Sequence, residues 1–176
     1  MVALYSTLLI LVTLVFQTTL AEYFLEMAGA KPDLLLILAL ALGLLRGKAA
    51  GIILGCVLGF LQDALSGGLL GQNALSKGLI GFGAGALRRD LMTIGLLVQA
   101  FLFLVATTFD AALNLLLDFL LLPLPGGTEG QVRILLRLLA LNTLIGPPTL
   151  WVVGRLEARW RDRHGVEEPL SLRKRG

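Results

Sequence analysis

The stretch Leu34-Leu35-Leu36-Ile37-Leu38-Ala39-Leu40-Ala41-Leu42-Gly43-Leu44-Leu45-Arg46-Gly47-Lys48-Ala49-Ala50-Gly51-Ile52-Ile53-Leu54-Gly55-Cys56-Val57-Leu58-Gly59-Phe60-Leu61 sets the architecture of this chain. It holds two uncharged apolar runs, Leu34 to Leu45 and Ala49 to Leu61, parted only by Arg46-Gly47-Lys48. Each run makes roughly 18–20 Å of α-helix, short of the ~30 Å hydrocarbon core of a bilayer. Such runs suit either thin crossings or a re-entrant hairpin. Lys31 and Asp33 at one end, and Arg46 and Lys48 at the other, can snorkel and lengthen the reach. We read two short crossings, over 33–46 and 48–64, folded as a helical hairpin.

Composition agrees with a membrane setting. Soluble domains are about 45–50% apolar with Gly included, and about 25% charged. Here 56% of 176 residues are hydrophobic before 21 glycines are added, and 15% are charged. The mean hydropathy is +0.84. A chain of this size has too little interior to hide that much apolar surface from water. An all-α polytopic membrane protein with six crossings is the expected class. The first crossing, 2–21, carries no charge. It lacks the basic lead and short apolar run of a signal peptide, so it reads as a retained span. A fourth span covers 69–87, and a fifth covers 91–110 with a tilted or interfacial extension to 122. Pro123-Leu124-Pro125 should stop that helix. The sixth covers 133–154, where Gly146-Pro147-Pro148 should kink or loosen it.

Basic residues orient the threading. With the N-terminus inside, the inner side receives Arg46, Lys48, Arg88, Arg89, Arg155, Arg159, Arg161, Arg163, Arg173, Lys174 and Arg175. The outer side receives only Lys31 and Arg133. Positive charge in short loops and flanks marks the cytoplasmic face, so both termini are expected in the cytoplasm. The tail 155–176 alternates acid and base beside anionic lipid, which explains its charge without nucleic acid.

Several chemistries drop out early. One Cys, Cys56, excludes an intramolecular disulfide and a multi-cysteine zinc site, and one His, His164, excludes a His-rich metal site. No cofactor or metal site is expected.

Ionisable groups inside a membrane are expensive and need a partner or a task. Asp110, Asn114 and Asp118 recur at helical spacing, as do Arg133 with Arg137 and Asn73 with Lys77. Asp63 closes the third span. The acids Asp63, Asp110 and Asp118 balance the bases Lys77, Arg133 and Arg137, all toward the outer side of the membrane. The cluster admits two readings: an ion-pair network tying spans three to six together, or a polar cavity for a ligand, a proton relay or a partner.

Glycines are concentrated too. Gly47, Gly51, Gly55 and Gly59 form one stripe, and Gly78, Gly81, Gly83 and Gly85 crowd the fourth span. Small residues let helices approach closely in lipid. Gly51, Gly55, Gly59, Gly71, Gly78, Gly81 and Gly85 are therefore the expected helix-packing positions. The turn Ser66-Gly67-Gly68-Leu69-Leu70-Gly71 lacks a following Gly-Lys-Ser/Thr, so it is no phosphate loop.

The string from Gly55 to Leu75 resembles the rod shape-determining MreD family of bacteria, through Gly55, Gly59, Asp63, Gly71, Ala74 and Leu75. Motif-level likeness covers about residues 30–90. The resemblance implies a non-enzymatic scaffold of the cell-elongation and peptidoglycan-synthesis complex in the inner membrane. It implies an MreC-like bitopic partner and, through it, MreB-like, RodA-like and penicillin-binding proteins. It also implies a fold similar to the substrate-binding subunit of energy-coupling-factor transporters. Ser6, Thr7, Thr13, Gln17 and Thr18 on the first span could bond a partner helix or turn inward to this chain's own bundle.

Two other classes stay open. A vitamin-type transporter subunit would use the outer polar cluster, though only two Trp and two Tyr are present to wall a ring-shaped ligand. An intramembrane aspartate enzyme would need two close carboxylates. Asp110 and Asp118 lie ~12 Å apart along one helix, leaving only Asp63 with either.

Overall fold

The computed structural model describes residues 9–17, 23, 29–67, 69–91, 95–121 and 128–164. The described residues form helices without strands: α1 over 9–17, α2 Leu34–Arg46, α3 Lys48–Ser66, α4 Gln72–Leu91, α5 Leu96–Leu121 and α6 Thr128–His164. The expected stop at 123–127 and the tail beyond 164 lie outside the described residues, as does most of the first span.

α2 is the axis of the bundle. Every residue from Leu35 to Leu45 is buried, as befits a helix that is apolar all round. On one side Leu35, Leu38, Leu42 and Leu45 pack with Ile10 of α1, Leu58 of α3 and Val153 of α6. On the other, Leu36, Ile37, Leu40 and Leu44 pack with Ile80 and Ala84 of α4 and with Phe103 and Ala106 of α5. A helix of ~20 Å is short for a bilayer, and here protein rather than lipid surrounds it.

The reversal from α2 to α3 takes one residue. Gly47 adopts φ +91°, open to glycine at little steric penalty, and donates its N–H to Gly43 O at 2.8 Å. α3 then lies along α4 through glycine. A Cβ on Gly51 would overlap the Gly81 carbonyl, and one on Gly81 the Gly51 carbonyl. Gly55 faces Lys77 O, Gly59 faces Asn73 O, Gly78 faces Cys56 Sγ and Gly85 faces Gly47 and Lys48. The stripes therefore bring backbone against backbone, where dispersion and weak Cα–H···O contacts replace side-chain interdigitation. Gly71 corrects its expected packing role: it is a turn residue at φ +98° with open space where a Cβ would stand.

α6 runs on through Pro147 and Pro148. The two prolines leave the Thr143 and Leu144 carbonyls without their helical N–H donors, and in the same turn Thr149 Oγ1 donates to Ile145 O at 2.8 Å.

Around this core the exterior is apolar. Ile53, Phe60, Leu97, Phe101, Phe119 and Leu144 are all more than half exposed. α3, α5 and Val132–Trp160 of α6 are long and apolar enough to cross a membrane.

Candidate functional site

At the end of the bundle where α2 and α4 start and α3 stops, polar side chains from all six described helices meet. Lys77 is fully buried. Its Nζ lies 3.0 Å from Asp33 Oδ2 and 3.6 Å from Asp110 Oδ1, and donates to Asn73 Oδ1 at 2.9 Å. An ammonium has three N–H donors and no acceptor, so three oxygens around it are what burial requires.

Asp33 is the N-cap of α2: its Oδ1 accepts the Leu36 N–H at 2.9 Å, filling one of the orphan donors of a helix start. Its Oδ2 accepts Gln62 Nε2 at 3.2 Å in addition to Lys77. Its own N–H donates to Asn142 Oδ1 at 2.9 Å, and Asn142 Nδ2 donates to Thr107 Oγ1 at 3.2 Å. Gln17 turns inward, taking the Leu34 N–H on Oε1 and donating Nε2 to Pro32 O. α1, α2, α5 and α6 are thereby joined by hydrogen bonds at one level. Asp110 accepts from the Ser76 hydroxyl and, at 3.2 Å, from Asn114 Nδ2.

The expected six-member ion network is corrected by this geometry. Of its members only Lys77 and Asp110 come together. Asp63 is buried but pairs with no cation among the described residues. Its carboxylate accepts the N–H of Gly71 at 2.9 Å, of Asn73 at 3.2 Å and of Ala74 at 3.3 Å, plus Asn73 Nδ2 at 2.8 Å. It closes the α3–α4 turn by capping α4 from outside, where the positive helix end favours an anion. Asp118 accepts from Gln72 Nε2 at 2.9 Å. Arg133 and Arg137 are exposed, and among the described residues Arg137 reaches only Gly29 O, at 3.4 Å.

Asp33, which reads in the sequence as a snorkelling anchor, is instead the first partner of Lys77. Its placement between Pro32 and an apolar run is an N-cap signal, but nothing local points to Lys77. Asn142 was also missed, although an amide inside the last apolar run was itself a flag.

A cavity of about 370 Å³ opens beside this cluster, lined by Gln17, Lys31, Asp33, Leu35, Gln62, Leu65, Ser66, Asn73, Asp110, Asn114 and Leu138. At the opposite end Arg46 Nε pairs with Glu157 Oε1 at 2.7 Å and ties α2 to α6. There Arg155 stacks on Trp151 at 4.2 Å. Among the described residues no group of three His, Cys, Asp or Glu is placed to hold a metal.

A glycine-seamed helical bundle with an ionic interior and an apolar exterior is a helical membrane protein. The particular family follows from comparison: a family model described as rod shape-determining protein MreD matches residues 1–124, and the chain belongs to that family. Membership places it in rod shape determination. Searches of curated proteins and of solved structures found no match.

Proposed function

We propose that this chain is a non-enzymatic scaffold of the bacterial cell-elongation complex. It would lie in the cytoplasmic membrane with six crossings and both termini inside, and hold the membrane helix of an MreC-like partner. Through that partner it would meet MreB-like, RodA-like and penicillin-binding proteins. Family membership supplies the setting. The observation that carries the scaffold reading is an apolar groove of about 250 Å³ between α2, α4 and α5, lined by Leu44, Leu79, Ile80, Ala84 and Phe109 among others. Gly83 lies in it, and a Cβ there would meet nothing within 4 Å. A small residue beneath an open apolar groove lets a second helix approach closely in lipid.

Pull-down of the tagged full chain from native membranes tests this. The scaffold reading expects a bitopic MreC-like protein in the eluate, and its loss in Gly83→Leu at unchanged expression. A wild-type eluate without such a protein overturns the reading. The second reading, a vitamin-type transporter subunit, draws on the polar cavity of about 370 Å³; recovery of an ATPase module would favour it. Accessibility labelling of the two ends tests the threading, which requires both on the cytoplasmic face.

A further inference from the structure

α6 carries one exposed stripe from the middle of the bundle to its far end. Ala140, Leu144, Pro148, Trp151 and Arg155 recur at steps of three and four residues, and all five are exposed. The first part of the stripe borders an apolar groove of about 570 Å³ between α5 and α6, lined by Leu97, Ala100, Leu104, Ala140, Leu144 and Pro148 among others. Ala100 and Ala140 keep it open, since each carries a methyl where neighbouring positions carry leucine side chains.

The length of the stripe and the charge at its end point to one kind of occupant. From Ala140 to Trp151 the helix rises ~17 Å, close to the ~15 Å of hydrocarbon in one leaflet. Trp151 then stands where amphipathic rings gather at a membrane edge, and Arg155 lies one turn beyond it. The Arg155 guanidinium sits 4.2 Å from the centre of the Trp151 ring. Stacking occupies the flat face of the guanidinium and leaves its N–H edge, the fork that grips a phosphate in two places. No acid competes for that edge. Among the described residues none pairs with Arg155 or with the exposed Arg159 one turn on. Glu157, which lies between them, is buried, and its Oε1 is held by Arg46 at 2.7 Å.

We propose that the α5–α6 groove holds one acyl chain of an anionic phospholipid, with Arg155 and Arg159 on its phosphate. The leaflet is the one at the C-terminal end of α6, the cytoplasmic leaflet in the threading proposed above, where anionic lipid concentrates. The site stands apart from the scaffold reading, because the groove over Gly83 shares no residue with it.

Native mass spectra of the purified full chain in detergent supply the test, with phosphatidylglycerol titrated against phosphatidylcholine of the same acyl chains. Phosphatidylglycerol should form a one-lipid adduct at least about fivefold more tightly, the gain expected for a single arginine near an anionic headgroup. Arg155→Gln should weaken that adduct by about fivefold. Ala140→Phe, which fills the groove, should weaken the adducts of both lipids. Lys48→Gln serves as control: this exposed cation lies at the same end of the bundle but on α3, over Phe82, and its loss should leave binding unchanged. All three substituted positions are exposed, so the variants should fold. Equal binding of the two lipids, equal losses in Arg155→Gln and Lys48→Gln, or wild-type binding in Ala140→Phe overturns the proposal. So does a lipid-free dimer that Ala140→Phe splits, which would assign the groove to a second copy of the chain.

Discussion

Lys77 Nζ lies 3.0 Å from Asp33 Oδ2, so the second turn of α4 is locked to the residue that starts α2. Asp33 caps α2 with one oxygen and holds Lys77 with the other. One side chain therefore couples helix initiation to helix packing. Lys77→Met should strip both buried carboxylates of their cation. Removing one partner of a buried pair destabilises by about 3–5 kcal/mol, and folded yield and Tm in detergent should fall accordingly. Asp33→Asn combined with Lys77→Met should recover part of the loss, because it removes one of the stranded charges.

Asp63 makes a different prediction from the one its charge suggests. As an ion-pair member it would tolerate Asn no better than Leu. As an acceptor for the backbone N–H groups of Gly71, Asn73 and Ala74, it should tolerate Asn in part, since an amide oxygen still caps. Asp63→Leu should cost at least the ~0.5–2 kcal/mol of a lost cap, with desolvated N–H groups adding to it. Asp63→Asn should keep much of the wild-type Tm. Equal losses in the two variants would restore the ion-pair account.

Arg133 and Arg137 are exposed, and the hydrogen bond from Arg137 to Gly29 O is 3.4 Å long. Substituting either by Ala should change stability by no more than about 0.5 kcal/mol. Side-by-side melting of Arg137→Ala and Lys77→Met checks this, and comparable losses would place Arg137 back in the buried cluster.

The contrast between these residues shows what the sequence could reveal. The glycine stripes were legible because small residues at i and i+4 share a face by helix geometry alone. Adding acids against bases found the polar end of the bundle but not its pairings. Pairing depends on how each helix is rotated, which no sum of charges contains. Lys77 and Asp33 are far apart in sequence, and Asp33 looked like an anchor at a membrane edge. Burial of α2 on every side was hidden for a related reason: Leu34 to Leu45 is as apolar as a lipid-facing run, and only the packing of α1, α3, α4, α5 and α6 separates the two settings.

Within α4 the glycines should divide sharply. Gly81 sits where a methyl group would overlap the Gly51 carbonyl, a rigid backbone atom on the facing helix. Gly81→Ala must push α3 from α4 or distort one of them, and overpacking of this kind costs typically about 1–3 kcal/mol. Gly83, two residues on, has nothing within 4 Å of an added Cβ. There Ala should be neutral or stabilising by roughly 0.5–1 kcal/mol, because it narrows the unfolded ensemble and favours helix. Melting curves of the two variants, measured with Gly51→Ala as a third, check the assignment. Gly51→Ala should resemble Gly81→Ala, since each glycine abuts the other's carbonyl. A tolerant Gly81 would mean that the α3–α4 seam is looser than this geometry.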